Sequence, residues 1–198
     1  MHVGGFGEDV ETDLPLARDG TGRYYIPGTS IAGALRQWCL RAFGPETVRD
    51  VWGFQGRGNS GHASLVELDD MTLADEVDPF VEIRDGVGID RQWGVAAEHI
   101  KFDRAVLPRG TSLRFCMTVL VPSPDLRNMA LAMLGNLRDA LAAGRIRLGA
   151  AKSRGLGKIV LENARIVEQR LDSREGILQS LDSPDSGRTV TDDEIRSA

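Results

Sequence analysis

The 198-residue chain is poor in several residue types, and each shortage excludes a class of protein. Two cysteines and three histidines form no pair with zinc-ligand spacing. Cys39 and Cys116 both lie in apolar patterns, so we predict buried thiols in a reducing cytoplasm rather than a disulfide. No apolar run approaches the ~20 residues that a membrane-spanning helix needs, and the first residues show no signal peptide. These shortages favour a globular protein of the cytoplasm that has no membrane partner.

Lysine is scarce as well, because only three of the 24 basic residues are lysines. The formal net charge of -5 disfavours a nucleic-acid ligand. However, the segment after Gln169 carries seven acids and four arginines, which accounts for -3 of that charge. The remaining basic residues are mostly arginines, whose planar fork binds phosphate and stacks on bases. An RNA partner is therefore compatible with the composition, and an ordinary solvated face of arginines is the alternative.

A tight turn that leads directly into a helix is predicted at Pro27 and Gly28, because proline presets φ and glycine accepts a positive φ. Thr29 or Ser30 is expected to cap the helix that follows. Such a helix start offers unpaired N–H groups, hydroxyls and a positive dipole end to an anion. Arg36 lies about a turn and a half further along. The alternative is a capped helix without a ligand.

A second stretch, residues 146–159, interleaves glycines and cations ahead of an apolar strand. Glycines allow backbone N–H groups to approach a phosphate, and the cations supply charge. The stretch is not a nucleotide-hydrolysing phosphate loop, because Ile146 and Ala151 stand where that pattern requires glycine. We interpret it as a loop that contacts phosphate without hydrolysing nucleotides.

Between these stretches, residues 80–104 are predicted to form a hairpin. Its apolar residues, together with Arg91 near the tip, suit a wedge between stacked bases. The alternative is that these apolar residues pack on the body of the protein. His99 in the same segment has a side chain suited to general-base work, although the sequence shows no partner for it.

The order of elements is strand, helix, strand, inserted hairpin, strand, helix and strand. This order predicts an α+β fold with a ferredoxin-like (RRM-like) βαββαβ core and an inserted β-hairpin. Only Met1, His2 and Val3 are available for the first strand, which is therefore short, missing or supplied by another chain. Residues 1–169 are expected to form this domain. Residues 170–198 are polar and are interpreted as a disordered tail or linker.

Three segments in this order resemble the RAMP superfamily (repeat-associated mysterious proteins), the RNA-binding subunits of CRISPR effector complexes. The sequence IPGTSIAGALR is similar to the first-helix motif, and GAAKSRGLGKI is similar to the C-terminal glycine-rich loop. The sequence GIDRQWGVAAEHIKFDRAVLPRGTSLRF resembles the hairpin "thumb" of backbone subunits in type III complexes. The resemblance implies guide RNA, target RNA and other copies or subunits of a complex as partners. The residues expected to contact RNA are Gly28, Thr29, Ser30, Arg36, Arg91, Gly149, Lys152, Ser153, Arg154, Gly155 and Gly157.

The same resemblance implies a catalytic residue in the loop over residues 4–23, where an aspartate of catalytic type III backbone subunits cleaves target RNA with a metal. Asp13 is the matching position, and the expected metal is Mg²⁺. A carboxylate there can hold a divalent metal or orient an attacking 2′-hydroxyl. Read without the resemblance, Asp13 is an ordinary solvated loop acid, and Asp9 and Glu11 are further candidates.

The resemblance therefore implies an endoribonuclease subunit that acts within a complex. Two alternatives stay open. One is an RNA-binding backbone subunit that is not catalytic, in which Asp13 has no chemical role. The other is a metal-independent ribonuclease of the same superfamily that processes guide RNA and uses a histidine such as His99.

Overall fold

The computed structural model describes residues 1–5, 12–75, 78–183 and 187–198. These residues form helices and short strands in mixed order, which confirms the predicted α+β class. The helices are α1 (Gly28–Phe43), α2 (Pro45–Trp52), α3 (Pro124–Ala142), α4 (Arg174–Asp182) and α5 (Asp192–Ser197). The strands are β1 (Tyr25–Ile26), β2 (Phe54–Gln55), β3 (Gly61–His62), β4 (Val66–Leu68), β5 (Met71–Thr72), β6 (Glu82–Ile89), β7 (Ala96–Val106), β8 (Met117–Val119), β9 (Val167–Glu168) and β10 (Arg188–Thr189). None of these helices combines the length and apolar character needed to cross a membrane.

The strands pair in antiparallel two-stranded ladders, and no ladder among the described residues has a third strand. The pairs are β1 with β5, β2 with β3, β4 with β8, β6 with β7 and β9 with β10. The longest ladder joins β6 to β7 and forms a hairpin in the segment where the sequence predicted one. The strands elsewhere have two or three residues, which is too short for an alternating apolar pattern to mark their bounds.

The chain divides into two compact units, the first of which contains Met1–Val119 and Arg145–Ile159. Its core includes one face of α1, where Ile31, Leu35 and Cys39 are buried at helical spacing. Cys39 is therefore buried as predicted. Cys116 is exposed, so the prediction for that thiol was wrong. Residues alternate between exposed and half-buried around position 116, and this alternation places Cys116 on the solvent side.

Residues 1–5 contain no regular strand, but the backbone of this segment is bonded to three other parts of the first unit. The Val3 carbonyl accepts the Ala17 N–H at 3.0 Å, and the His2 carbonyl accepts the Ala150 N–H at 2.9 Å. The Leu107 N–H donates to the Met1 carbonyl at 2.7 Å. These bonds take the place of the ladder that a full first strand would form.

The second unit contains Leu120–Gly144 and Val160–Ala198. Residues 170–198, which composition suggested to be disordered or a linker, carry α4, β10 and α5 in their described part. Val190 and Ile195 are buried against Leu131 of α3. Gly135 makes room for this contact, because a Cβ there would lie 2.2 Å from the Ile195 Cγ2 atom. Val190 and Ile195 are thus part of a buried cluster, although the average composition of the segment is polar.

Candidate nucleic-acid interface

Asp13 lies where the N-terminal loop meets strand β7. Its backbone N–H donates to the Asp103 Oδ1 atom at 2.7 Å, and its Oδ2 atom accepts the Asp103 N–H at 2.9 Å. The next residue, Leu14, forms a parallel bridge to Arg104, and its carbonyl accepts the Ala105 N–H at 3.0 Å. These bonds hold Asp13 beside the hairpin while the residue stays exposed to solvent.

An open groove of about 970 Å³ runs beside Asp13. It is lined by Asp13, Leu14, Val87, Gly88, Ile89, Arg91, Phe102, Arg104 and Arg154. The groove therefore brings together three residues that the sequence predicted from three separate stretches: Asp13 of the loop, Arg91 of the hairpin and Arg154 of the glycine-rich loop. The lining combines apolar side chains with three arginines, and this combination suits a ligand with both bases and phosphates.

A second pocket of about 470 Å³ adjoins the groove. Arg104, Ala151, Lys152, Ser153 and Arg154 line it, so Arg104 and Arg154 belong to both cavities. Among the described residues, no carboxylate forms an ion pair with Arg91, Arg104, Lys152 or Arg154. Their charges are available to an anion.

The glycine-rich loop presents its cations on a single 3₁₀ turn, Lys152–Arg154. The turn is bounded by Ala151 at φ 54° and Gly155 at φ 85°, and both lie in the left-handed region. All three residues of the turn are exposed. Non-glycine residues rarely adopt this conformation, so Ala151 marks a constrained site of the kind that clusters in ligand-binding loops.

The loop glycines have different roles. A Cβ at Gly149 would lie 2.1 Å from the His2 carbonyl oxygen, and one at Gly157 would lie 2.1 Å from the Leu148 carbonyl oxygen. These two positions need glycine because the backbone packs closely there. At Gly155 a Cβ would meet nothing within 4 Å, so this glycine faces open space beside Lys152 and Arg154.

The hairpin carries exposed apolar side chains toward its tip. Ile89 is 58% exposed, Trp93 73% and Ile100 52%, so these residues do not pack on the body of the protein. The pairing register shifts between Val87 and Ile89. On the other strand the bulge contains His99, whose φ is 61°. His99 is exposed and is not among the residues that line the groove.

The start of α1 differs from the prediction. The helix begins at Gly28 with Pro27 as its N-cap, and neither Thr29 nor Ser30 caps it. The Gly28 N–H instead donates to the Asp70 Oδ1 atom at 2.6 Å. A carboxylate from a distant loop thus occupies the position at which a helix start attracts an anion.

The predicted RNA contacts on α1 lie apart from the groove. Thr29 and Ser30 are exposed, and Gly28, Thr29 and Ser30 are not among the groove's lining residues. Arg36 donates to the Gly53 carbonyl at 3.2 Å, which ties it to the end of α2 rather than to the cavities. Their assignment as RNA contacts stays a prediction.

Sequence reasoning did not assign Arg104 or Asp103 of β7 to the site: Arg104 lines the groove, and Asp103 bonds Asp13 beside it. The alternating pattern of strand side chains places Phe102 and Arg104 on the same face, where the Arg104 guanidinium carbon lies 5.7 Å from the Phe102 ring centre. That local signal was available. The pairing of Asp103 with Asp13 was not, because 90 residues separate them in the chain.

The few carboxylates around Asp13 restrict which metal ion this site could hold. In the described part of the chain, no three His, Cys, Asp or Glu side chains are placed to hold a metal ion. Asp13 and Asp103 supply two neighbouring carboxylates, each with one oxygen engaged by a backbone N–H. Mg²⁺ commonly uses one or two carboxylates with waters and substrate phosphates. These two carboxylates therefore suit a Mg²⁺ whose remaining ligands are waters or phosphate oxygens. Asp9 and Glu11 lie outside the described residues.

Comparison with known proteins places the chain in a family. The model of the RAMP superfamily matches residues 1–160. The chain belongs to the RAMP superfamily. No curated protein matches this RAMP chain significantly.

Solved structures resemble this RAMP chain in fold. One is a chain of the type III-B Cmr-beta complex in its apo state, with a TM-score of 0.58, and another is from type III-B Cmr-beta bound to cognate target RNA, with a TM-score of 0.60. Both are 15% identical in sequence, over 79% of this chain and 90% of the other.

Proposed function

We propose that this RAMP chain is a backbone subunit of a type III CRISPR effector complex, where it binds guide RNA and cleaves the paired target RNA with Mg²⁺. Family membership and the likeness to type III-B Cmr-beta chains support the complex and the RNA partners. One observation carries the proposal: Asp13, Arg91 and Arg154 line one groove. An acid for chemistry and cations for phosphate thus converge from three stretches of the chain.

In this proposal each element has a separate contact with RNA. The turn of Lys152, Ser153 and Arg154 and the open Gly155 bind backbone phosphates. The hairpin acts as a thumb inserted into a ferredoxin-like core, and its exposed Ile89 and Trp93 splay bases apart. Base–aromatic stacking of this kind stabilises single-stranded RNA binding by about 1–3 kcal/mol per base. Additional contacts on the same unit come from Gly28, Thr29, Ser30, Arg36, Gly149 and Gly157.

The chemistry assigned to Asp13 is attack of a 2′-hydroxyl on the adjacent phosphorus. The 2′-oxygen forms a bond to phosphorus as the bond from phosphorus to the 5′-oxygen breaks. The hydroxyl proton passes to water, and the leaving 5′-oxygen takes up a proton from water. The Asp13 carboxylate is exposed to the groove and is positioned by its two bonds to Asp103 to orient that hydroxyl. Arg91 and Arg154 stabilise the charge on the phosphate oxygens. A bound Mg²⁺ would add Lewis-acid stabilisation of that charge.

The substitution Asp13→Asn tests this function, because it keeps the size of the side chain and removes its charge. We expect binding of guide and target to be nearly unchanged and the cleavage rate to fall at least ~100-fold, the scale at which single acid–base or electrostatic groups act. The measurement is single-turnover cleavage in the assembled complex with saturating target and magnesium. Asp85→Asn is the matched control, since Asp85 is an exposed acid on the same hairpin that pairs with Lys101.

Removal of the metal separates the alternatives. Cleavage that persists in EDTA would favour the guide-processing ribonuclease, although His99 lies outside the groove lining. Absence of cleavage with and without EDTA would favour the non-catalytic subunit. Full cleavage by the Asp13→Asn protein in magnesium would eliminate Asp13 as the catalytic residue.

A further inference from the structure

Arg104 carries a charge that no described acid balances. In the hairpin ladder it lies directly opposite Arg84, and like charges in that position repel. Arg84 is neutralised by Glu82, at 2.7 Å from the carboxylate. Arg104 has no such partner, and its buried Nε atom has no hydrogen-bond acceptor among the described residues. A buried donor without an acceptor is costly, so this position favours a ligand that supplies one.

The surroundings of Arg104 select the ligand. The Arg104 guanidinium lies over the Phe102 ring, with its carbon 5.7 Å from the ring centre, and the N–H groups of a guanidinium point outward in its plane toward acceptors. Lys152 and Arg154 line the same pocket as Arg104. Three cations around a concave pocket, with one buried donor unsatisfied, match the oxygen atoms of a phosphate group.

We propose that Arg104, Lys152 and Arg154 form a seat for one backbone phosphate of RNA, and that this seat sets the register of the strand over Asp13. The inference deepens the proposed function and rests on it for the identity of the ligand as RNA. Arg104 belongs to both cavities, so a strand whose phosphate lies in the seat continues into the groove. Arg104 also bridges to Leu14, the residue after Asp13. The seat and the acid are therefore held by the same strand.

Binding of a short single-stranded RNA to the full chain, measured in EDTA over a series of salt concentrations, tests the seat. For Arg104→Met we expect the affinity to fall about 10-fold or more, because a hydrogen bond to a charged group is lost. The slope of log affinity against log salt should decrease by ~0.7, the value for one phosphate contact with a single strand. Arg104→Lys keeps the charge and should retain the slope while losing affinity, because the second donor of the fork is absent.

Arg84→Met is the matched control, since Arg84 is the cross-strand neighbour of Arg104 and lies outside both cavities. We expect its affinity and slope to equal those of the unmodified chain. An Arg104→Met protein that binds with native affinity and slope overturns the seat, and so does an equal loss in both methionine variants. Thermal unfolding checks that each variant folds; if Arg104→Met does not fold, the Arg104→Lys result decides.

The binding assay is independent of cleavage. If the Asp13→Asn protein cleaves normally and Arg104→Met loses the phosphate contact, the catalytic assignment fails and the seat stands. If Asp13→Asn abolishes cleavage and Arg104→Met binds normally, the proposed function stands and the seat fails. Competition by inorganic phosphate as effective as competition by RNA would show a site for a free anion and would overturn the register role.

Discussion

Glu168 connects strand β9 to the segment that follows it in the second unit. Its carboxylate accepts two bonds from Arg127 of α3, at 2.5 and 2.9 Å, and one from Arg188 of β10, at 2.6 Å. Arg188 in turn bonds Glu194 at 2.7 Å, and Glu194 forms the capping box that starts α5 with Thr191. We predict that Glu168→Gln destabilises the second unit, because it removes the central charge of this chain of contacts.

The pKa of Glu168 gives the size and sign of the effect. The bonds from Arg127, followed by those from Arg188, lower the pKa from its ordinary 4.5 to about 2. At about 1.4 kcal/mol per pKa unit, this difference has a ceiling of about 3.4 kcal/mol. The side chain is 24% exposed, and solvent screens the charges, so we expect about 1–3 kcal/mol. Because the pKa is lower in the folded state, this stabilisation is present above pH 4.5 and is lost as the pH falls toward about 2.

The measurement is urea unfolding monitored by far-ultraviolet circular dichroism, repeated from neutral pH to about pH 2. Hydrogen exchange of residues 187–198 shows which part of the chain is destabilised. Glu168→Gln should be less stable than the unmodified chain near neutral pH, and the difference should disappear at the acid end. Glu46→Gln is the control, since Glu46 forms a single exposed pair with Arg49. Parallel stability curves for Glu168→Gln and the unmodified chain across the whole pH range would refute the reasoning.

Two further predictions follow from the structure. Changing both Lys152 and Arg154 to alanine should weaken RNA binding irrespective of sequence and reduce its salt slope by ~1.4, because each phosphate contact contributes ~0.7; binding equal to that of the unmodified chain at two salt concentrations would exclude the loop as a phosphate contact. Gly135→Ala should lower the free energy of unfolding by about 1–3 kcal/mol in urea titrations, because the new methyl group would lie 2.2 Å from the Ile195 Cγ2 atom. This clash costs more than the gain in helix propensity from glycine to alanine. A more stable variant would mean that α5 does not pack there.

Patterns within a few neighbouring residues were sufficient to predict parts of this fold. Helix α3 begins at Pro124 after the N-cap Ser123, and both residues are standard at a helix start. Its apolar residues recur at helical spacing, and Met133 and Leu137 of that stripe are buried. The cationic turn at Lys152–Arg154 was likewise readable, because glycine and charge mark it within a few residues.

Contacts between residues far apart in the sequence could not be predicted. The Gly28 N–H donates to Asp70, which lies 42 residues further along the chain. No local sequence pattern indicates that a carboxylate of the protein, rather than a ligand, accepts this bond at the start of α1. The helices and strand of the segment after residue 169 were also not predicted, for the same reason. The average composition of this segment is polar, but Val190 and Ile195 are buried against Leu131 of α3. Burial of a few apolar side chains stabilises a segment even when most of its residues are polar.

The contacts of Asp13 bear on how RNA binding and cleavage would be coupled in the proposed function. Asp13 bonds Asp103, and Leu14 bonds Arg104 and Ala105. Strand β7 therefore positions Asp13. The same strand carries Phe102 and Arg104 into the groove. A displacement of the hairpin would therefore shift Asp13 and Arg104 together. In the proposed function, this coupling would keep the Asp13 carboxylate in register with a phosphate bound by Arg104, which is one part of the positioning that in-line attack requires.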